Sequence, residues 1–316
     1  MSDVRSKLLV AGVLVAGLAA VAIRAQDEIP TFRTEIKEVT LHVSVLDRTG
    51  KLVTNLPRAA FKVYEDNVEQ PIKLFRREDV PVSMGILVDN SGSMNDKRAR
   101  VAAAALALVK ASNPDDEVFI VNFNDDAYLD QAFTHDTKKL EEALARLDAR
   151  GGTAMRNAIS GAIDYMKTDA KLDKKVLVVV TDGNDNSSTE TTLEQLLRKV
   201  RDSGVLVYSI GLLSEEEARE ARAAKRALNS LAETSAGAAY YPKDLAEVEK
   251  LTPEIAHEIR NQYTIAYSPL NENLDGSFRK IKIELTGQYR GAIVRAKNGY
   301  YATPATPKSS LSFGKP

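Results

Sequence analysis

Four short apolar runs with few polar interruptions punctuate the middle of the chain, at residues 84–88, 118–123, 176–180 and 205–210. Runs of this kind suit strands buried on both faces, as in a parallel sheet. The segments between them carry helical spacing. Val101, Ala105, Leu108 and Val109 fall at i, i+4, i+7 and i+8. Ile159, Ala162, Ile163 and Met166 fall at i, i+3, i+4 and i+7, and Leu193, Leu196, Leu197 and Val200 repeat that interval. Ser214 with Glu217 makes a capping box for a further helix. Pro253 is expected to kink or restart the last helix, residues 244–260, which carries Ile255 and Ile259. Residues 127–133 read as a shorter edge strand, antiparallel to its neighbour. Over residues 82–261 the alternation predicts a doubly wound α/β domain with a mostly parallel, Rossmann-like sheet.

The flanks follow a different rhythm. Residues 33–78 alternate apolar and polar positions with period two, as in Val39-Thr40-Leu41-His42-Val43-Ser44-Val45 and Phe61-Lys62-Val63-Tyr64-Glu65. Arg48-Thr49-Gly50-Lys51 and Asp66-Asn67 supply turns. Residues 262–302 repeat the theme, with Asp275-Gly276 as a turn between strands. In a doubly wound domain each helix returns the chain to the N-terminal edge of the sheet. The domain therefore begins and ends on that edge, where the flanks can meet. The expected architecture is an α/β domain inserted in a small β-sandwich-like domain built from both flanks. Residues 303–316 are rich in Pro, Ser and Lys and are expected to be disordered.

An unbroken apolar or small run at residues 8–23 follows Arg5 and Lys7 and precedes a polar switch at Gln26-Asp27-Glu28. That layout predicts a secretory signal over residues 1–25, cut after Ala25 or after Ala22, and a secreted or periplasmic protein. An uncleaved N-terminal membrane anchor is the alternative.

Composition narrows the chemistry. Hydrophobic residues make up 44% and charged residues 28%, which is globular. A formal net charge of −1 gives no basic face for nucleic acid. The absence of cysteine removes disulfides, thiolate metal sites and cysteine nucleophiles. Three histidines, His42, His135 and His257, lie far apart in the chain, which argues against a histidine-rich zinc site.

What remains is oxygen chemistry. The strand at 84–88 ends in Asp89-Asn90-Ser91-Gly92-Ser93, placing Asp89, Ser91 and Ser93 at spacing two in a loop at a strand C-terminus. Gly151-Gly152-Thr153 introduces a later helix, and the strand at 176–180 runs into Thr181-Asp182-Gly183. Open α/β sheets bind ligands at these strand ends. Two carboxylates and three hydroxyls are hard donors that suit Mg²⁺ or Mn²⁺. Gly151-Gly152 is no phosphate loop, and its expected task is to let the backbone approach the ion. Asp182-Gly183-Asn184-Asp185-Asn186 lacks the sixth-position glycine and twelfth-position glutamate of an EF-hand, so only Asp182 is assigned a role.

Asp89-x-Ser91-x-Ser93, then Thr153, then Asp182 resembles the metal-ion-dependent adhesion site of von Willebrand factor type A domains. The resemblance covers roughly residues 82–261. The flank motifs Phe61-Lys62-Val63-Tyr64-Glu65-Asp66 and Gly299-Tyr300-Tyr301-Ala302 are similar to those of bacterial "VWFA-related domain" proteins. The resemblance implies that Ser91 and Ser93 ligate the metal directly, Thr153 directly or through water, and Asp89 and Asp182 mainly through water and hydrogen bonds. It implies a divalent-cation-dependent protein-binding module for adhesion or assembly, whose metal is completed by an Asp or Glu of a partner protein. No enzyme is expected. Ser91 and Ser93 lack a Gly-x-Ser-x-Gly setting, and His135 is the one histidine in a segment that could reach that edge. Two alternatives stay open: an envelope protein whose metal only stabilises the loops, and a Mg²⁺-dependent hydrolase.

Overall fold

The computed structural model describes residues 38–303 apart from residues 78, 112, 146–149, 183–184 and 214–217. The expected signal, the capping box at Ser214 and Glu217 and nearly all of the expected tail lie outside the described residues. Among the described residues no helix is long and apolar enough to cross a membrane.

The first strands are β1 (Val39–Leu46), β2 (Phe61–Glu65), β3 (Val68–Gln70) and β4 (Leu74–Arg76). The α/β part then runs β5 (Ser83–Asp89), α1 (Arg98–Ala111), β6 (Glu117–Phe123), β7 (Ala127–Thr134), α2 (Thr137–Ala145), α3 (Met155–Asp169) and β8 (Lys175–Thr181). It continues through α4 (Leu193–Ser203), β9 (Leu206–Gly211), α5 (Ala218–Ser235), β10 (Ala239–Tyr240) and α6 (Leu245–Arg260). Four strands follow: β11 (Tyr263–Tyr267), β12 (Phe278–Leu285), β13 (Ile293–Arg295) and β14 (Gly299–Tyr301).

The central sheet has the order β10-β9-β8-β5-β6-β7. Its strands pair in parallel except at the edge, where β7 runs antiparallel to β6. The apolar runs divide their side chains between two cores, as the period of a strand requires. Val176, Val178 and Val180 of β8 pack with α1, α2 and α6. Leu177 and Val179 pack with α3, α4 and α5. Helices thus cover both faces, which is the doubly wound arrangement. Each fully buried Val or Leu contributes roughly 1.5–3 kcal/mol of transfer free energy, so strands of this kind commit firmly to the interior.

Both flanks supply strands to two further sheets, ordered β13-β1-β11-β4 and β14-β12-β2-β3. They share one core, in which Phe61, Phe75 and Tyr263 meet with ring centroids 4.9–5.7 Å apart. Asp66 and Asn67 both take positive φ (47° and 68°), the geometry of a tight two-residue hairpin joining β2 to β3.

One expectation is corrected. The helix does not restart at Pro253; α6 continues through it. Pro253 is exposed, so the carbonyl that loses its partner four residues earlier can turn to water. The buried neighbour Thr252 donates its hydroxyl to the Val248 carbonyl at 2.7 Å, within the same turn.

Candidate functional site

The connections after β5 and β8, two adjacent parallel strands, leave the C-terminal edge of the central sheet side by side, and the loop between α2 and α3 meets both. Backbone hydrogen bonds staple them together. Gly92 N–H donates to Gly151 O at 3.0 Å, and Arg150 N–H to Asn90 O at 2.9 Å. Asn186 and Ser187 N–H both donate to Thr153 O, at 3.1 and 3.0 Å. Asn90 N–H reaches Phe123 O at 2.7 Å, so the loop after β6 joins the set.

The result is a pocket of about 160 Å³ lined by Ser91, Ser93, Thr153 and Asp182, with Lys97, Gly151, Gly152 and Asn186 among the remaining walls. Asp89 is buried next to the lining residue Ser91. Its carboxylate accepts Ser91 N–H at 3.0 Å and the Thr181 hydroxyl at 2.5 Å. Ser91 Oγ and Ser93 Oγ stand 3.1 Å apart. Four of the five sequence-predicted residues line one pocket, and the fifth, Asp89, is tied to that lining through the Ser91 N–H.

The electrostatics are those of a site short of positive charge. Burial pushes the Asp89 carboxyl up to about 6, against the hydrogen bonds from Ser91 and Thr181, and the nearby Asp182 charge pushes the same way as burial. Asp182 Oδ1 is buried without a hydrogen-bond partner among the described residues. A buried, unpaired carboxylate oxygen is costly unless something supplies charge. Hard oxygen donors with this deficit fit a small dication. Among the described residues no three side chains of His, Asp or Glu gather as a metal-binding group. An ion held here would lean on hydroxyls beside two carboxylates.

Sequence reasoning missed three contributors. Lys97 extends its ammonium to Asp182 Oδ2 at 3.1 Å. Asp125 accepts Gly152 N–H at 2.9 Å and the Ser187 hydroxyl at 3.0 Å. Asn186 Oδ1 accepts Thr153 N–H at 2.9 Å. Asp125 follows a strand of the same sheet edge, the signal that singled out Asp89 and Asp182. The two glycines have a steric role that the sequence reading did not include. Gly151 has φ +76°, and a Cβ on either glycine would overlap the Asp125 carboxylate. Their missing Cβ atoms leave room for the bracing side chains of the loops, and both glycines also line the pocket. His135 is also relocated. Its Nδ1 lies 2.8 Å from Asp116 O, beside the start of β6 and away from the pocket.

Residues 84–184 match the family model described as von Willebrand factor type A domain. Among curated proteins, 135 residues are 27% identical to calcium-activated chloride channel regulator 1 of Equus caballus, a match covering 40% of this chain. The chain spans 14% of the length of that relative. Among solved structures, an aerotolerance-related membrane protein from Bacteroides fragilis is 20% identical with a TM-score of 0.46, covering 56% of this chain and 98% of that one. The von Willebrand factor domain of a type V pili tip protein from Porphyromonas gingivalis is 14% identical, TM-score 0.46, covering 57% and 97%. A von Willebrand factor type A protein from Catenulispora acidiphila is 14% identical, TM-score 0.48, covering 84% and 72%. The matched residues run from β5 into the connection after β8, so the family model covers the part of the chain that carries Asp89, Ser91, Ser93, Thr153 and Asp182.

Proposed function

We propose that the α/β part of this chain is a von Willebrand factor type A domain that acts as an extracytoplasmic, divalent-cation-dependent protein-binding module for adhesion or assembly. Asp89, Ser91, Ser93, Thr153 and Asp182 would hold Mg²⁺ or Mn²⁺, and a Glu or Asp of a partner protein would complete the ion's coordination. The single observation that carries this reading is the gathering of those oxygens around one pocket that leaves a buried Asp182 oxygen unpaired. An ion held largely by neutral hydroxyls keeps much of its charge and so attracts a carboxylate. The chain's own residues do the rest. Ser91 and Ser93 present paired oxygens, Asp89 fixes the Ser91 backbone, and the Asp125 and Asn186 braces hold the Thr153 loop in register. A carboxylate seated at such a centre, partly desolvated, is the kind of contact that dominates an interface.

The reading is tested by calorimetric titration of Mg²⁺ and Mn²⁺ into the wild type and Asp89→Ala, followed by an acidic peptide or a partner from envelope extract. Metal uptake and metal-dependent capture that vanish in Asp89→Ala, with the circular dichroism unchanged, support it. Undiminished capture in Asp89→Ala or in chelator removes it. A metal effect on melting temperature with no effect on capture would favour the purely structural role.

A further inference from the structure

We propose that Lys97 is a tethered cation that competes with the divalent ion for the Asp182 carboxylate, so that the chain's own ammonium sets the metal affinity of the pocket. This rests on the reading of the pocket as a metal site and concerns how that site is regulated.

Lys97 ends the 3₁₀ turn Gly92–Lys97, which carries the chain from the motif loop into α1. Four residues after Ser93, its side chain folds back over the pocket. The Nζ–Oδ2 distance is 3.1 Å, and the side chains of Lys97 and Asp182 are 15% and 7% exposed. A surface ion pair would be screened and weak, whereas a pair this enclosed keeps much of its Coulomb attraction. Both residues line the same pocket as Ser91, Ser93 and Thr153.

Three features make this competition and not merely a salt bridge. The ammonium engages one Asp182 oxygen and leaves the other unpaired, so the carboxylate is only half satisfied. An ammonium and a dication repel each other strongly at such range in a partly desolvated pocket, so a metal that uses Asp182 must release Lys97. Lysine is also the suitable residue for a contact that must come and go. It is a compact charge on a flexible four-carbon stem, without the planar bidentate fork that would fix it. Glu220 of α5, exposed on the same pocket wall, offers the released ammonium a carboxylate at the rim.

The experiment uses the full chain and reads two quantities: Mn²⁺ and Mg²⁺ affinity by calorimetry, and melting temperature in chelator against excess Mg²⁺. The variants are Lys97→Gln, Lys97→Met and Lys97→Arg. Both neutral variants should bind metal about tenfold more tightly than the wild type, and Lys97→Arg should stay within a few-fold of it. In chelator the neutral variants should melt lower, because Asp182 is left buried and unpaired. Their gain on adding Mg²⁺ should exceed that of the wild type. Wild-type binding that is measurable and unchanged or weakened in both neutral variants overturns the role of Lys97 and leaves the metal site standing. No uptake by the wild type or by any variant overturns both. Tightening by the charge-keeping Lys97→Arg to the same extent as by Lys97→Gln overturns the competition and points to packing.

Discussion

Two buried carboxylates, Glu258 and Asp182, are treated in opposite ways. Glu258, near the end of α6, is saturated. It accepts the Ser44 hydroxyl of β1 at 2.9 Å, the Tyr208 hydroxyl at 3.3 Å and the Tyr240 hydroxyl at 2.9 Å, and it pairs with Arg295 of β13 at 3.1 Å. The cluster joins the α/β part to the flanking sheets. Asp182 has one flexible ammonium and an oxygen with no partner among the described residues. Both Glu258 oxygens are matched, by donors that together come from several elements. Asp182 lies at the strand ends of a parallel sheet and keeps one buried oxygen without a partner among the described residues. A buried charge left short of partners is the physical mark that separates a site from a joint, although both are conspicuous as polar groups in an apolar surround.

The largest effect expected from this contrast is at the joint. Glu258→Ala leaves Arg295 without its counter-ion and the Tyr208 and Tyr240 hydroxyls short of an acceptor. Removing one partner of a buried, hydrogen-bonded pair should cost about 3 kcal/mol. Urea denaturation in chelator checks it, and a loss under about 1 kcal/mol would mean that Glu258 is no better satisfied than Asp182.

A second test concerns acid. His42 lies on β1, two residues before Ser44, and its imidazole is lowered to about 3 by burial, then by the charges of Lys174 and Lys297. The folded value lies below the unfolded value of about 6.5. As pH falls through 6.5, the unfolded chain gains a proton that the folded chain refuses. Stability is therefore present above 6.5 and lost toward 3, at up to about 1.4 kcal/mol per pH unit. Urea midpoints at pH 7, 6 and 5 should fall in the wild type more steeply than in His42→Leu. Equal slopes would show that the acid sensitivity does not arise at the flank side of the joint.

The site was more legible in the sequence than the joint, for a topological reason. Asp89, Ser91, Ser93, Thr153 and Asp182 each follow an apolar strand or introduce a helix, so the parallel sheet alone places them along one edge. Glu258 draws its partners from β1, β9, β10 and β13, and no local pattern links Ser44 to a residue 214 positions away. The split of Val176–Val180 side chains between two cores, the antiparallel edge strand and the Asp66-Asn67 hairpin were likewise legible, because each is written in a local period or turn. Lys97 was not. It stands among Asp96, Arg98 and Arg100, where a charge reads as solvated, and only the fold of the 3₁₀ turn brings it inward. Asp125 was hidden in Asn124-Asp125-Asp126, which reads simply as the turn between β6 and β7. The sequence reading omits the α2 helix, although Leu140, Ala143 and Leu144, its buried face, stand at i, i+3 and i+4, the spacing that marked the other helices.

The smallest expected effect sharpens the contrast most. Thr153 is 2% exposed, and its backbone N–H is held by Asn186, but its hydroxyl has no protein partner among the described residues. Thr153→Val keeps the shape and removes only that hydroxyl. If the hydroxyl belongs to the site, the metal-free protein should change in stability by no more than about 0.5 kcal/mol, since no protein hydrogen bond is broken. Magnesium uptake by calorimetry should weaken all the same, because an oxygen donor has become a methyl group. A metal-free loss above about 1 kcal/mol would place the Thr153 hydroxyl in a satisfied network like that of Glu258. The division between a finished joint and an unfinished site would then fail at the residue where it makes its finest distinction.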